Sequence, residues 1–98
     1  LRAARPETPI VLVEDRTYAN AAVLPAQRRR NDSSRAAHRD AYDRLLAAGV
    51  KGLHFIDGET LLGDDGEGTV DGSHPTDLGF MRQAEAMRKT LEPLLRTR

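Results

Sequence analysis

Asp71 and His74 stand three residues apart in the run Asp71-Gly72-Ser73-His74-Pro75-Thr76-Asp77-Leu78-Gly79. On a turn, a carboxylate at that spacing folds back to accept a hydrogen bond from imidazole Nδ1. The bond fixes the tautomer and leaves Nε2 free to take a proton from a hydroxyl nucleophile. His74 lies just ahead of a predicted helix, whose N-terminal partial positive charge disfavours imidazolium, and an ionised Asp71 offsets that effect. Composition alone yields roughly 0.3 Asp-x-x-His pairs in a chain of this size. The spacing therefore takes its meaning from its setting: Pro75, a capping Thr76 and Gly79 at the start of a helix.

Other groups invite weaker readings. His54 falls in the strand pattern Leu53-His54-Phe55-Ile56 and reads as a strand residue, while His38 falls on the polar side of a helix and reads as solvated. The three histidines have no metal-ligand spacing. Asp64, Asp65 and Glu67 stand among glycines, but they lack the regular ligand intervals of a calcium loop and read as a solvated turn. Arg28-Arg29-Arg30 is a loop triple open to an anionic ligand, although such triples are usually solvated surface. Glu14, Asp15 and Arg16 follow the first strand, where parallel sheets place their substrate edge. Asp15 or Arg16 can there touch substrate or brace the loop of His74.

The elements that must position these groups follow from periodicity. Ile10-Val11-Leu12-Val13 is a short β-branched run ending at Glu14-Asp15, as expected of a parallel strand buried on both faces. Arg16 to Asp32 reads as a long irregular connection. Asp32 or Ser33 caps a predicted helix to Ala48 with Ala37, Ala41, Leu45 and Ala48 on one face, and Gly49 stops it. A second strand is predicted at Leu53 to Ile56, a helical turn at Glu59 to Leu62 and a loop from Gly63 to Gly72. Phe80, Ala84, Met87, Leu91, Leu94 and Leu95 form a 3.6-residue stripe, which predicts a final helix from Asp77 to about Leu95 with Thr76 as N-cap. Pro93 is expected to kink or shorten it.

This order predicts an α/β protein built of βαβ units. With 98 residues, the chain has room for one core. Two parallel strands leave ladder groups and edges unsatisfied, so residues 1-98 read as a single partial domain. A missing part of the same domain or a second chain is expected to complete the sheet. The start at Leu1, with no apolar leader region before Glu7, looks like a cut. Fifteen basic residues balance fifteen acidic ones, which removes the positive field needed for nucleic acid. No apolar run is long enough to span a membrane. With no cysteine there is neither disulfide framework nor thiolate chemistry, and the compartment is left open.

The run Asp71 to Gly79 resembles the last conserved block of the SGNH hydrolases, in which an Asp and a His three residues apart precede the C-terminal helix. Leu61 to Asp71 and Val13-Glu14-Asp15-Arg16-Thr17-Tyr18 are similar to the GDSL-like acylhydrolase branch, so the resemblance covers nearly the whole chain. It implies the C-terminal βαβα portion of a flavodoxin-like three-layer α/β/α SGNH hydrolase fold. It further implies a serine esterase of EC class 3.1 acting on small esters or acylated sugars through an acyl-enzyme, with no metal or organic cofactor. On this resemblance His74 is the general base and Asp71 its orienter. The family's nucleophilic Ser belongs to an N-terminal Gly-Asp-Ser block and its oxyanion hole to two middle blocks, none of which occurs in these residues. Ser73 is no substitute, because neighbouring side chains on a turn diverge. The chain alone is expected to be inactive.

Two other classes remain. One is a non-catalytic α/β interaction module that completes or binds a partner chain. The other is a phosphate or nucleotide binder, disfavoured by the lack of any G-x-G-x-x-G turn.

Overall fold

The two β-branched runs form strands β1 (Ile10–Val13) and β2 (Leu53–Ile56), which pair in parallel with Ile10 opposite Leu53 and Val13 opposite Ile56. In this computed structural model, which describes residues 1–96, helix α1 (Pro25–Ala47) connects the strands and helix α2 (Asp77–Arg96) closes the chain. Successive strand residues point to opposite faces. Phe55 meets the rings of His38 and Tyr42 on α1, both at 5.2 Å, whereas Ile56 packs with Ala86 and Met87 of α2. The helices therefore cover opposite faces of the sheet.

Helix α1 begins well before the predicted cap. Pro25 occupies its first turn, where a fixed φ favours the helix and the missing N–H has no helical partner to lose. Pro25 and the arginine triple, read from sequence as loop, are thus helical. Arginine is a good helix former and prolongs the element. Ser33 is no cap but bonds back to the Arg29 carbonyl. The stop at Gly49 is as predicted: with φ at 80°, its N–H reaches Leu46 O at 2.9 Å and the Val50 N–H reaches Leu45 O at 3.1 Å.

The face of α1 that carries Ala37, Ala41, Leu45 and Ala48 is turned outward, since all four are exposed. Asn31, Arg35, His38 and Tyr42 point inward at spacings of four, three and four. His38 is accordingly half-buried against Phe55 rather than solvated. On α2 the predicted stripe is split: Met87 and Leu94 face inward, while Phe80, Ala84, Leu91 and Leu95 are exposed. Two strands cover only part of so broad an apolar face. The helix continues through Pro93 to Arg96, and the turn after β2 is a 3-10 turn at Gly58–Thr60, slightly earlier than predicted. Ile56, Leu61 and Leu62 form the core, with Val11, Ala86 and Met87 packed around them.

Candidate active site

Both strands end at the same edge of the sheet, and the segments leaving them meet there. From β2 the chain passes the 3-10 turn and enters a narrow loop held by a bridge between Thr69 and Pro75 and by Val70 N–H to His74 O at 2.9 Å. Thr76 fastens the loop to α2: its Oγ1 accepts from Gly79 N–H at 3.1 Å, as expected of the N-cap, and donates to Glu67 O at 2.9 Å. Gly68 and Gly79 permit this closeness. A Cβ on Gly79 would stand 2.1 Å from Gly68 O, and one on Gly68 would stand 2.3 Å from Leu62 O.

Asp71 and His74 are brought together at the tip of this loop. The His74 Nδ1–H donates to Asp71 Oδ2 at 2.6 Å, and Asp71 Oδ1 accepts from the Ser73 and His74 backbone N–H groups at 2.9 and 2.8 Å. The His74 N–H, its ring and the Ser73 N–H, in that order, hold the Asp71 carboxyl well below its ordinary value of 3.8. An ionised Asp71 fixes the imidazole tautomer and directs Nε2 away from the loop. The pair is largely exposed, the His74 side chain to 78% and that of Asp71 to 53%.

Three residues outside the loop set its position. Arg16, in the segment leaving β1 and 20% exposed, donates from Nε to Ser73 O at 3.3 Å and from Nη2 to Ser73 Oγ. It also pairs with Asp15 and lies 4.2 Å from the centre of the Tyr18 ring. The bracing role foreseen for Arg16 is thus present, and Ser73 Oγ is committed to it. Asn31, only 2% exposed, donates from Nδ2 to Arg16 O at 2.8 Å and accepts from Tyr18 N–H at 2.9 Å. Glu14, 6% exposed, lies 3.2 Å from Arg35 and 3.7 Å from Arg39, and accepts from Gly58 N–H at 3.1 Å. It thereby joins the exits of β1 and β2.

Sequence reasoning missed Asn31 and the Arg35–Glu14–Arg39 cluster. The available signal was their recurrence at helical spacing, obscured by the preference for apolar residues on an inner face.

A model of the GDSL-like lipase/acylhydrolase family matches residues 1–92. The chain belongs to that family. Its structure is similar to the 1.40 Å crystal structure of a Bacteroides ovatus protein assigned as a GDSL-like lipase, with a TM-score of 0.90 and 32% sequence identity. The match takes in 98% of this chain and 28% of the Bacteroides protein, so the chain spans little more than a quarter of that protein's length. No curated protein matches the chain significantly.

Other residues singled out in this GDSL-like chain stand apart from the Asp71–His74 pair. Asp65 grips Arg82 through two bonds of 2.7 Å and so ties the loop to α2, while Arg82 also donates to Leu62 O at 2.8 Å. Among the described residues no group of three or more His, Asp or Glu is arranged to hold a metal ion. Arg28 reaches back to Ala22 O at 3.1 Å, and the whole arginine triple is exposed on α1. His54 sits in β2 opposite Val11. A cleft of about 470 Å³ between Tyr18, Ala22, Arg35, Leu62 and Thr69 opens at the base of the loop. No described helix is long and apolar enough to cross a membrane.

Proposed function

We propose that this chain supplies the base and orienter of a serine acylhydrolase. His74 Nε2 takes the proton from a Ser Oγ contributed by residues outside these 98, and Asp71 holds the imidazole in the required tautomer. The observation that carries this reading is the 2.6 Å contact between His74 Nδ1 and an Asp71 whose other oxygen is fixed by two backbone donors. An Asp used merely to cap the turn needs only that second oxygen.

In this mechanism the Ser attacks the ester carbonyl as His74 accepts its proton, and His74 returns the proton to the leaving alcohol. Water then attacks the acyl-enzyme carbonyl as His74 takes its proton, and the Ser–acyl bond breaks to release the acid while His74 returns the proton to the Ser oxygen. Substrates are small esters or acylated sugars, and a cleft of about 470 Å³ beside the loop is of the size used by small ligands.

Membership of the GDSL-like family supports ester hydrolysis. Several features support a partial domain, the C-terminal portion of a flavodoxin-like α/β/α frame. The sheet has two strands, apolar stripes on both helices are uncovered, and the radius of gyration is 15.2 Å against about 13 Å for a compact domain of this length. The exposed ring of His74 leaves room for an incoming Ser.

The test is p-nitrophenyl acetate hydrolysis by the 98-residue chain, by the same chain extended along its natural sequence, and by the extended His74→Ala variant. Turnover in the extended chain, reduced by orders of magnitude in His74→Ala, is the expected result. Folded extended chains with equal activity, or none, would overturn the assignment in favour of a binding module.

A further inference from the structure

We propose that Arg16 is a positioning residue for the general base, acting through Ser73. The inference rests on the reading of His74 as that base. The Asp71–His74 pair is largely exposed, so side-chain packing does not hold it in place. Its geometry must come from the backbone of the loop. That loop is attached to the β1 side by Ala19 N–H to Gly72 O at 2.9 Å and by the Arg16 guanidinium on both the carbonyl and the hydroxyl of Ser73. Ser73 immediately precedes His74, and its N–H is one of the two backbone donors on Asp71 Oδ1. A shift of Ser73 therefore displaces both members of the pair at once.

Arg16 is itself immobilised from three sides. Asp15 pairs with Nη1, the Tyr18 ring lies against the guanidinium, and Asn31 holds the Arg16 carbonyl. The result is a continuous path from α1 through Asn31 and Arg16 to Ser73 and then His74. A planar fork suits this task, since it spans two acceptors of one residue while stacked on a ring. An ammonium cannot do all three. With its charge paired and its donors engaged, Arg16 acts on the loop rather than on the substrate.

The experiment uses the natural protein that contains this chain, with Arg16→Ala, Arg16→Lys and Ser73→Ala variants. Two readouts are followed: kcat and KM on p-nitrophenyl acetate, and the downfield proton resonance of the His74 Nδ1–H bonded to Asp71. Arg16→Ala is expected to lower kcat roughly 10- to 100-fold, the scale of a misplaced catalytic group, with KM within about twofold. The resonance should broaden or vanish. Arg16→Lys should show a similar loss, whereas Ser73→Ala, which keeps the carbonyl contact, should lose less than about fivefold.

Unchanged kcat and resonance in either Arg16 variant would overturn the proposal, even if thermal stability fell. Should Arg16→Ala not fold, Arg16→Lys settles the question by the same two readouts. If the parent protein shows no His74-dependent turnover, the esterase reading fails separately. The resonance then still tests whether Arg16 holds the Asp71–His74 pair: its loss in Arg16→Lys supports that hold and its retention refutes it.

Discussion

Replacing Asp71 by Asn alters one oxygen and removes one charge, yet the structure predicts a large effect on turnover. The Asp71 carboxylate divides its work: Oδ1 receives two backbone N–H groups and Oδ2 receives the imidazole. An amide has one acceptor and one donor in the same positions. If its oxygen stays on the backbone donors, its NH2 faces Nδ1, and the ring must present a lone pair there. The proton then sits on Nε2, which can no longer accept one. If the amide flips, the ring keeps its tautomer but two backbone donors face an NH2 group, so the first arrangement prevails. Two effects compete for the magnitude. Attraction across a pair as exposed as this one accounts for less than about tenfold, whereas loss of the productive tautomer accounts for about 10,000-fold, the scale seen when the orienting carboxylate of a Ser-His-Asp triad becomes its amide. The tautomer effect decides. Ester hydrolysis by the natural protein carrying Asp71→Asn should fall by about 10,000-fold in kcat with little change in KM. A decrease below about tenfold, in a variant that folds normally, would refute the reasoning.

Asn31→Ala strands the Arg16 carbonyl and the Tyr18 N–H, both now paired with a nearly buried amide, and should cost about 2 kcal/mol in denaturant unfolding. Gly79→Ala tests a sign: helix propensity favours alanine by about 1 kcal/mol, but the new methyl would stand 2.1 Å from the Gly68 carbonyl, a backbone atom that cannot swing away. A net loss of about 1–3 kcal/mol is expected, and stabilisation would show that the loop can retreat from α2. The depressed Asp71 carboxyl sets a pH dependence. Because its folded value lies below the ordinary 3.8, its contribution is present above that pH and disappears as pH falls through the folded value. A carbon-13 titration of Asp71 Cγ should therefore have its midpoint below 3.8, and a midpoint at or above it would show that the loop bonds do not form in solution.

The strands, the Gly49 stop, the Thr76 cap and the Asp71–His74 juxtaposition were legible because each depends on short-range rules, and the parallel pairing followed from the order strand, helix, strand. A β-branched run, a left-handed glycine or a carboxylate three residues before a histidine needs no knowledge of the rest of the chain. The orientation of the helices was not legible in the same way. Periodicity identifies an apolar stripe and assumes that the nearest sheet covers it. On α1 that assumption fails, because the inward positions belong to Asn31, Arg35, His38 and Tyr42 while the alanine and leucine stripe faces outward. The start of α1 was missed for a different reason. Pro25 and three arginines look like loop when polarity is weighed alone, although proline in a first turn followed by straight-chain residues is a sound helix start.

The polar inner face of α1 also explains how so small a sheet can define a site. An apolar contact between α1 and the strands would hold the layers together but leave the strand exits free to move. Here Glu14, Arg35, Arg39 and Gly58 link those exits directly, and Asn31 fixes the segment that carries Arg16. Glu14 and Arg35 are largely buried, and a buried charge is costly unless paired, so the arrangement tolerates few alternatives. Directional bonds are thus concentrated at the edge where Asp71 and His74 stand, while the non-directional apolar surface lies on the outer stripes of both helices. That distribution suits the base-positioning role proposed for this chain. A substitution on the outer stripes, such as Leu45 or Phe80 to a charged residue, should leave the Asp71–His74 geometry intact, whereas one at Asn31 should disturb it, and the His74 Nδ1–H resonance reads the difference.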